Sequence, residues 1–311
     1  MKSIKDYKIV YMGTPEMSAK ILECLIQDGF NIIALIAQED KPKGRRGDLQ
    51  KVPTKVVAEK YNIPVYQPHR IRKEYEFIQD LKPDLILTMA YGQIVPQGLL
   101  DIPKRGCLNI HGSLLPKLRG AAPIQRAIIN GETKTGVTLM EMVDKMDAGK
   151  IYALEECDIE PDETYSHLCK KIVDGAIKVV RENLYSYLEG DLEGREQDEN
   201  FVSYAEKIKP EDEKLDLSKP TKLFLNWIRG LSEEPGGYVY LNNFKFKIFQ
   251  AHQISEEVHH EVGYLTLGKR AILQLSDGEI ELDEVQLEGR KKMDARSFAN
   301  GARQLNGTIL K

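Results

Sequence analysis

Ile9-Val-Tyr-Met-Gly-Thr-Pro-Glu16 is the stretch whose reading decides the fold. Ile9 to Met12 is a short apolar run of strand character that stops at Gly13. Thr14-Pro15-Glu16 then reads as a helix start, with a capping hydroxyl, a proline at the first helical position and an acid near the positive end of the dipole. The helix carries Ile21, Leu22 and Leu25 inward and stops at Gly29. The segment lacks the spaced glycines of a dinucleotide fingerprint or a P-loop, so a tight strand-to-helix turn is the plainer reading.

The same alternation continues outward. Ile32 to Ala37 gives a second strand, Val52 to Tyr61 a second helix, and Val65 a short strand. A helix near Tyr75 to Leu81 and the strand Asp84 to Ala90 follow. Another strand begins near Gly106 and ends at Asn109 to His111. Thr135 to Met142 and Lys150 to Cys157 are later strands, and Glu163 to Leu188 is a long amphipathic helix with Leu168, Ile172, Ala176, Val179 and Leu184 on one face. Such alternation predicts a parallel sheet covered by helices, with its site beyond the carboxyl ends of the strands.

Residues 190–220 are rich in Asp, Glu, Lys and Gln and read as an interdomain connection, partly ordered at most. Beyond Trp227 come short strands: Gly237 to Leu241, Phe244 to Gln250, Val262 to Leu267, Ala271 to Leu275 and Glu279 to Gln286. Asn242-Asn243 and Asp277-Gly278 are turn signals between them. About five strands in about 80 residues suit a small β-barrel of the oligonucleotide-binding (OB) type. The expected domains are 1–189, a linker 190–220, and 221–311.

Composition limits the class. In 311 residues, 41% are hydrophobic and 30% charged, as in ordinary globular proteins. With 44 Lys plus Arg against 48 Asp plus Glu, overall charge announces no polyanionic partner, although local patches can bind one. The 4 cysteines form no C-x-x-C pair, which with the absence of a signal peptide suggests a reducing, cytoplasmic setting. The N-terminus, Met1 to Tyr11, has a single short apolar run, far below the roughly 20 residues that span a membrane. Among the 6 histidines, His259-His260 has no neighbour at zinc spacing, so no metal is expected.

The chemistry concentrates in Cys107-Leu-Asn-Ile-His-Gly-Ser-Leu-Leu-Pro116, followed by Arg119-Gly-Ala-Ala-Pro-Ile-Gln125 and by Asp147. Asn109 and His111 are two apart on a strand, so their side chains share a face. An amide donates to an oxyanion without titrating, and an imidazole donates when protonated or relays a proton when neutral. A carboxylate from Asp147 beside His111 would fix its tautomer and favour the imidazolium. Taken singly, Asn-x-His also fits a structural hydrogen-bonding pair, and Asp147 a turn residue bonded to its own backbone. Gly112 permits close backbone approach, and Leu114-Leu-Pro116 offers a rigid apolar edge for a flat ring. The polar loop from Gln38 to Leu49 holds Lys41, Lys43, Arg45 and Arg46. Loops of that length are commonly functional, and these groups suit phosphate, although Glu39, Asp40 and Asp48 equally describe a solvated surface loop.

Together these segments resemble the methionyl-tRNA formyltransferase family. The matching stretches are Gly13-Thr-Pro15, Ala90-Tyr-Gly92, Asn109-Ile-His-Gly-Ser-Leu-Leu-Pro116, Gly120-Ala-Ala-Pro-Ile-Gln125, Gly136-Val-Thr138, Asp147-Ala-Gly149, Tyr204-Ala-Glu-Lys207 and Gln286-Leu-Glu-Gly289. They run through nearly the whole chain, unlike the shorter glycinamide ribonucleotide formyltransferases. The resemblance implies a Rossmann-like α/β formyltransferase domain with an OB-fold-like C-terminal barrel. It implies catalysis by Asn109, His111 and Asp147, and a formyl-folate site bordered by Ser113, Leu114, Leu115 and Pro116. It implies tRNA contacts from Lys43, Arg45 and Arg46, with the barrel holding the tRNA from the other side. The donor would be 10-formyltetrahydrofolate, the acceptor initiator methionyl-tRNA, and the protein a cytoplasmic monomer. The enzyme rivals are a sugar-nucleotide N-formyltransferase and a formyl-folate hydrolase. A non-catalytic RNA-binding protein is the rival from another class.

Overall fold

Ile9, Val10, Tyr11 and Met12 are all buried, which requires cover on both faces of the strand they form. The computed structural model describes residues 3–43 and 48–311. The chain runs β1 (Ile9–Gly13), α1 (Glu16–Gln27), β2 (Ile32–Ile36), β3 (Lys41–Lys43), β4 (Asp48–Gln50), α2 (Pro53–Lys60) and β5 (Val65–Tyr66). It continues through α3 (Phe77–Leu81), β6 (Leu85–Met89), α4 (Gln97–Leu100), β7 (Cys107–His111), α5 (Pro123–Ile129), β8 (Lys134–Glu141), β9 (Ile151–Asp158) and α6 (Tyr165–Glu189).

One sheet has the order β5-β2-β1-β6-β7-β8-β9. The pairs from β5 through β7 are parallel, as expected. β8 departs from the expectation by running antiparallel to β7, with His111 opposite Thr138. Val10, Met12, Ala34, Ile36 and Ile86 pack with Ile71, Ile78 and Leu99 in one core cluster. The chain moves outward from β1 through β2 to β5 and then returns to β6, so direction switches between β1 and β6.

At that switch the expected capping role of Thr14 is corrected. Pro15 occupies the N-cap of α1, which has no side-chain cap. The Thr14 hydroxyl instead donates to the Tyr91 carbonyl at 3.0 Å and accepts from the Gln38 amide at 3.3 Å, tying three strand ends together. The supposed loop from Gln38 to Leu49 contains the antiparallel pair β3–β4.

The remaining elements are α7 (Thr221–Leu231), β10 (Gly237–Leu241), β11 (Phe244–Ser255), β12 (Tyr264–Leu267), β13 (Ala271–Leu275), β14 (Gly278–Leu287), β15 (Met293–Asp294), α8 (Ala295–Gly301) and β16 (Thr308–Ile309). They form an antiparallel sheet, β10-β11-β14-β13-β12-β16, with β15 beside β14. Register shifts along β11 bend it strongly. The Tyr240 amide donates to the Lys311 carbonyl at 2.6 Å and the Lys311 amide to the Tyr240 carbonyl at 3.0 Å, so the curled sheet's two ends meet. Its core holds Phe224, Ile228, Val239, Phe246, Leu273 and Phe298. Asn242 and Asn243 take φ of 49° and 70°, the conformation a two-residue hairpin turn demands.

Two compact units result: 1–120 with 135–158 and 169–204, and 121–134 with 159–168 and 205–311. Packing thus divides the chain differently from composition. α5 joins the second unit because it lies against α7, where a Cβ on Gly230 would stand 2.6 Å from Ile129. The 190–220 stretch, expected to be loosely ordered, is fixed at several points. Arg195 pairs with Ile151 through reciprocal backbone bonds, and Gln197 is buried. No helix among the described residues is long and apolar enough to cross a membrane.

Candidate active site

β7 carries Asn109 and His111 on one face, at the strand's carboxyl end. Asn109 lies opposite Thr88 of β6 and Met140 of β8, so it is central in the sheet. Its side chain is partly exposed and makes no hydrogen bond with the described residues, leaving an amide donor free.

His111 is 5% exposed. Its Nε2 lies 2.9 Å from the Leu118 carbonyl, which only accepts, so Nε2 carries the proton and donates. Nδ1 therefore faces Asp147, whose Oδ2 is 3.8 Å away. The sequence expectation is corrected in this detail: Leu118, rather than Asp147, sets the tautomer. Asp147 is held at φ 49°, and its Oδ2 accepts the Gly120 amide at 2.8 Å. Gly149 is needed nearby, since a Cβ there would sit 2.2 Å from the Glu141 carbonyl oxygen.

Ser113 to Pro116 form the lip beyond β7. The Thr138 hydroxyl of β8 donates to the Ser113 carbonyl at 2.7 Å and accepts the Leu115 amide at 3.2 Å. The Ser113 hydroxyl is spent on the Lys117 carbonyl at 2.7 Å, and Leu115 is buried. Leu114 and Pro116 keep partial exposure, so they provide the apolar edge. Arg45 and Arg46 lie outside the described residues. Lys43 belongs to β3, where its backbone pairs with Asp48.

Sequence reasoning assigned no role to the residues behind the pair. Arg119 is fully buried, donating to Gln197 Oε1 from Nε at 3.0 Å and from Nη2 at 2.8 Å. Nη2 also reaches Glu199 at 2.9 Å. Hydrogen bonds from Arg119 and then Lys145 hold the Glu199 carboxyl below its ordinary value. Nothing in the composition of 190–204 distinguishes Gln197 from its charged neighbours, so only the fold reveals it. Among the described residues no group of three or more His, Cys, Asp or Glu side chains is arranged to hold a metal.

The geometry supplies a free amide donor, a tautomer-fixed imidazole and an adjoining carboxylate, which suits acyl transfer through an oxyanion. Comparisons with known proteins give the family. The Formyl transferase family model matches residues 7–184, and the model of the Formyl transferase C-terminal domain matches 207–303. A methionyl-tRNA formyltransferase of Geobacillus sp. (strain WCH70) is 43% identical over 300 residues, covering 95% of this chain and 94% of that protein. That of Bacillus subtilis (strain 168) is 40% identical over 308 residues, with 97% of each chain covered. Among solved structures, the sugar 3N-formyl transferase WlaRD superposes with a TM-score of 0.68 at 19% identity, over 92% of this chain and 99% of that one. HypX from Aquifex aeolicus in complex with tetrahydrofolic acid gives 0.67 at 18% identity, over 94% of this chain. The chain spans about half the length of HypX, 46% by coverage, and these two likenesses speak for the fold alone.

Proposed function

The chain belongs to the methionyl-tRNA formyltransferase family, and from that premise we propose that Asn109, His111 and Asp147 carry out its formyl transfer. The reaction moves the formyl group of 10-formyltetrahydrofolate to the α-amino group of initiator methionyl-tRNA. The carrying observation is the approach of His111 Nδ1 to Asp147 at 3.8 Å, on the face that also presents the free Asn109 amide.

The acceptor amine has a reference pKa of about 7.7–8.0, so near neutral pH much of it is already nucleophilic. Its nitrogen attacks the formyl carbon, and the carbonyl oxygen becomes an oxyanion. Asn109 donates to that oxygen. The proton shed by the attacking nitrogen passes to the His111–Asp147 pair, through the imidazole edge that Leu118 leaves free. Collapse reforms the carbonyl, breaks the bond to folate N10, and returns a proton to that nitrogen. Leu114 and Pro116 flank the folate ring, and Arg45, Arg46 and Lys43 meet the tRNA backbone. The protein acts in the cytoplasm, a placement supported by its role in translation. We take the protein as a monomer, and the C-terminal sheet, whose ends meet, offers no open edge for pairing with a second copy.

The test incubates purified protein with 10-formyltetrahydrofolate and, in parallel, charged initiator tRNA, uncharged tRNA or an amino-sugar nucleotide. Formylation of methionyl-tRNA alone is expected. Transfer to the sugar nucleotide with none to methionyl-tRNA sinks the proposal, as does hydrolysis without transfer.

A further inference from the structure

Behind the His111–Asp147 pair a ring of hydrogen bonds closes, and one carboxamide completes it. Gln197 Nε2 donates to the Asp147 carbonyl and to the Gly149 carbonyl, each at 2.8 Å. Its Oε1 accepts both contacts from Arg119. Every donor and acceptor position of that carboxamide is thereby used. Arg119 is one residue from each of the groups that hold the pair. Leu118 before it accepts from the His111 ring, and Gly120 after it donates to the Asp147 carboxylate.

The same stretch of chain grips this turn again. The Arg119 amide donates to the Ser203 carbonyl at 2.9 Å, and the Leu118 amide to the Ser203 hydroxyl at 2.9 Å. Residues 197–203 therefore hold both sides of the gap between His111 and Asp147. Asp147, in a left-handed conformation on a loop, has its carboxylate fixed by Gly120 and its backbone by Gln197.

We propose that Gln197 is a positioning residue for formyl transfer: it couples the Asp147 backbone to Arg119 and so holds the carboxylate at the distance from His111 that the reaction uses. The proposal rests on reading His111 and Asp147 as the proton-transfer pair. Misplacing a reacting group by about 1 Å costs on the order of 10²-fold in rate, so a brace of this kind acts on turnover more than on binding.

Two variants separate its functions. Gln197→Glu still accepts from Arg119, now as a carboxylate, but cannot donate to either carbonyl. Gln197→Ala loses both. In both, kcat for methionyl-tRNA should fall roughly 10–100-fold, while KM for 10-formyltetrahydrofolate and for tRNA changes less than about twofold. Hydrogen exchange gives a readout independent of activity: the Gly120 amide, bonded to Asp147, should exchange faster in both variants. Gln197→Glu keeps the partner of Arg119 but sets a carboxylate oxygen against two carbonyls, so some loss of melting temperature is expected and kcat is compared on folded protein. A folded Gln197→Glu protein with wild-type kcat and wild-type Gly120 exchange overturns the proposal, as does a loss carried by KM with kcat intact. If the wild-type protein formylates no methionyl-tRNA, the functional reading fails instead. The Gly120 amide then still decides whether Gln197 holds Asp147.

Discussion

The proposed mechanism gives Asn109 and Asp147 different duties, and single substitutions should separate them. Asn109→Ala removes an uncharged donor that has no partner among the described residues. An oxyanion donor of this type is worth roughly 10²–10³ in kcat, and folate affinity should stay near wild type if, as proposed, the ring rests on the Leu114–Pro116 lip. Near-normal turnover measured with saturating substrates would remove Asn109 from that role. Asp147→Asn keeps the shape, tolerates the left-handed backbone and can still accept from Gly120, yet it removes the charge beside Nδ1. Single-turnover formyl transfer should slow by about 10²–10⁴-fold, the range of a lost general base. An unchanged rate would show that the proton leaves by another route. The Asn109–His111 spacing was legible because a strand places residues two apart on one face. The Leu118 carbonyl and Gly120 amide were not, since backbone groups leave no mark on side-chain pattern.

At the scale of the element, periodicity carried most of the reading. β1 and β6 are apolar runs because a central strand is buried on both faces, and Asn242-Asn243 marks a hairpin because few residues accept two positive φ values. What failed depended on neighbours. β8 has the composition of a parallel strand, and only its return path decides its direction. α7 escaped because its N-terminus is capped from elsewhere. Its N-cap Pro220 supplies no side chain, while Asp277 at the β13–β14 turn accepts the Thr221 hydroxyl at 2.6 Å and the Thr221 amide at 2.8 Å. Those two bonds, the hydroxyl first, hold the Asp277 carboxyl below its ordinary 3.8. A lowered folded-state value means stability that is present above the unfolded pKa and lost as pH falls through the folded one. Asp277→Ala should therefore reduce stability by about 0.5–1 kcal/mol near neutral pH, a typical lost cap. The gap from wild type should close in acid, below the ordinary carboxylate range. Denaturant unfolding at the two pH values checks this, and a gap that persists or widens in acid would mean that the carboxylate is not the cap.

For the whole molecule the informative quantity is a net charge of −4 in a protein whose partner is a polyanion. Binding cannot come from the overall field, so a few local cations must supply it, and each should count. Lys43, Arg45 and Arg46 form the densest group of cations near glycines in the first 50 residues. Charge density made the segment conspicuous in the sequence, whereas the β3–β4 pairing on either side of it was beyond periodicity. Each phosphate contact contributes roughly 0.9 to the slope of log K against log salt on a duplex. Arg45→Ala should then raise KM for methionyl-tRNA, lower the magnitude of that slope by about one, and leave 10-formyltetrahydrofolate affinity as in wild type. Equilibrium binding of charged tRNA across a salt series, beside folate titration, reads both quantities. An unaltered slope would show that Arg45 meets no phosphate. A selective loss of folate affinity would move the loop to the donor site and transfer the whole burden of tRNA attraction to other cations, Lys245, Lys247 and Arg290-Lys-Lys292 among them.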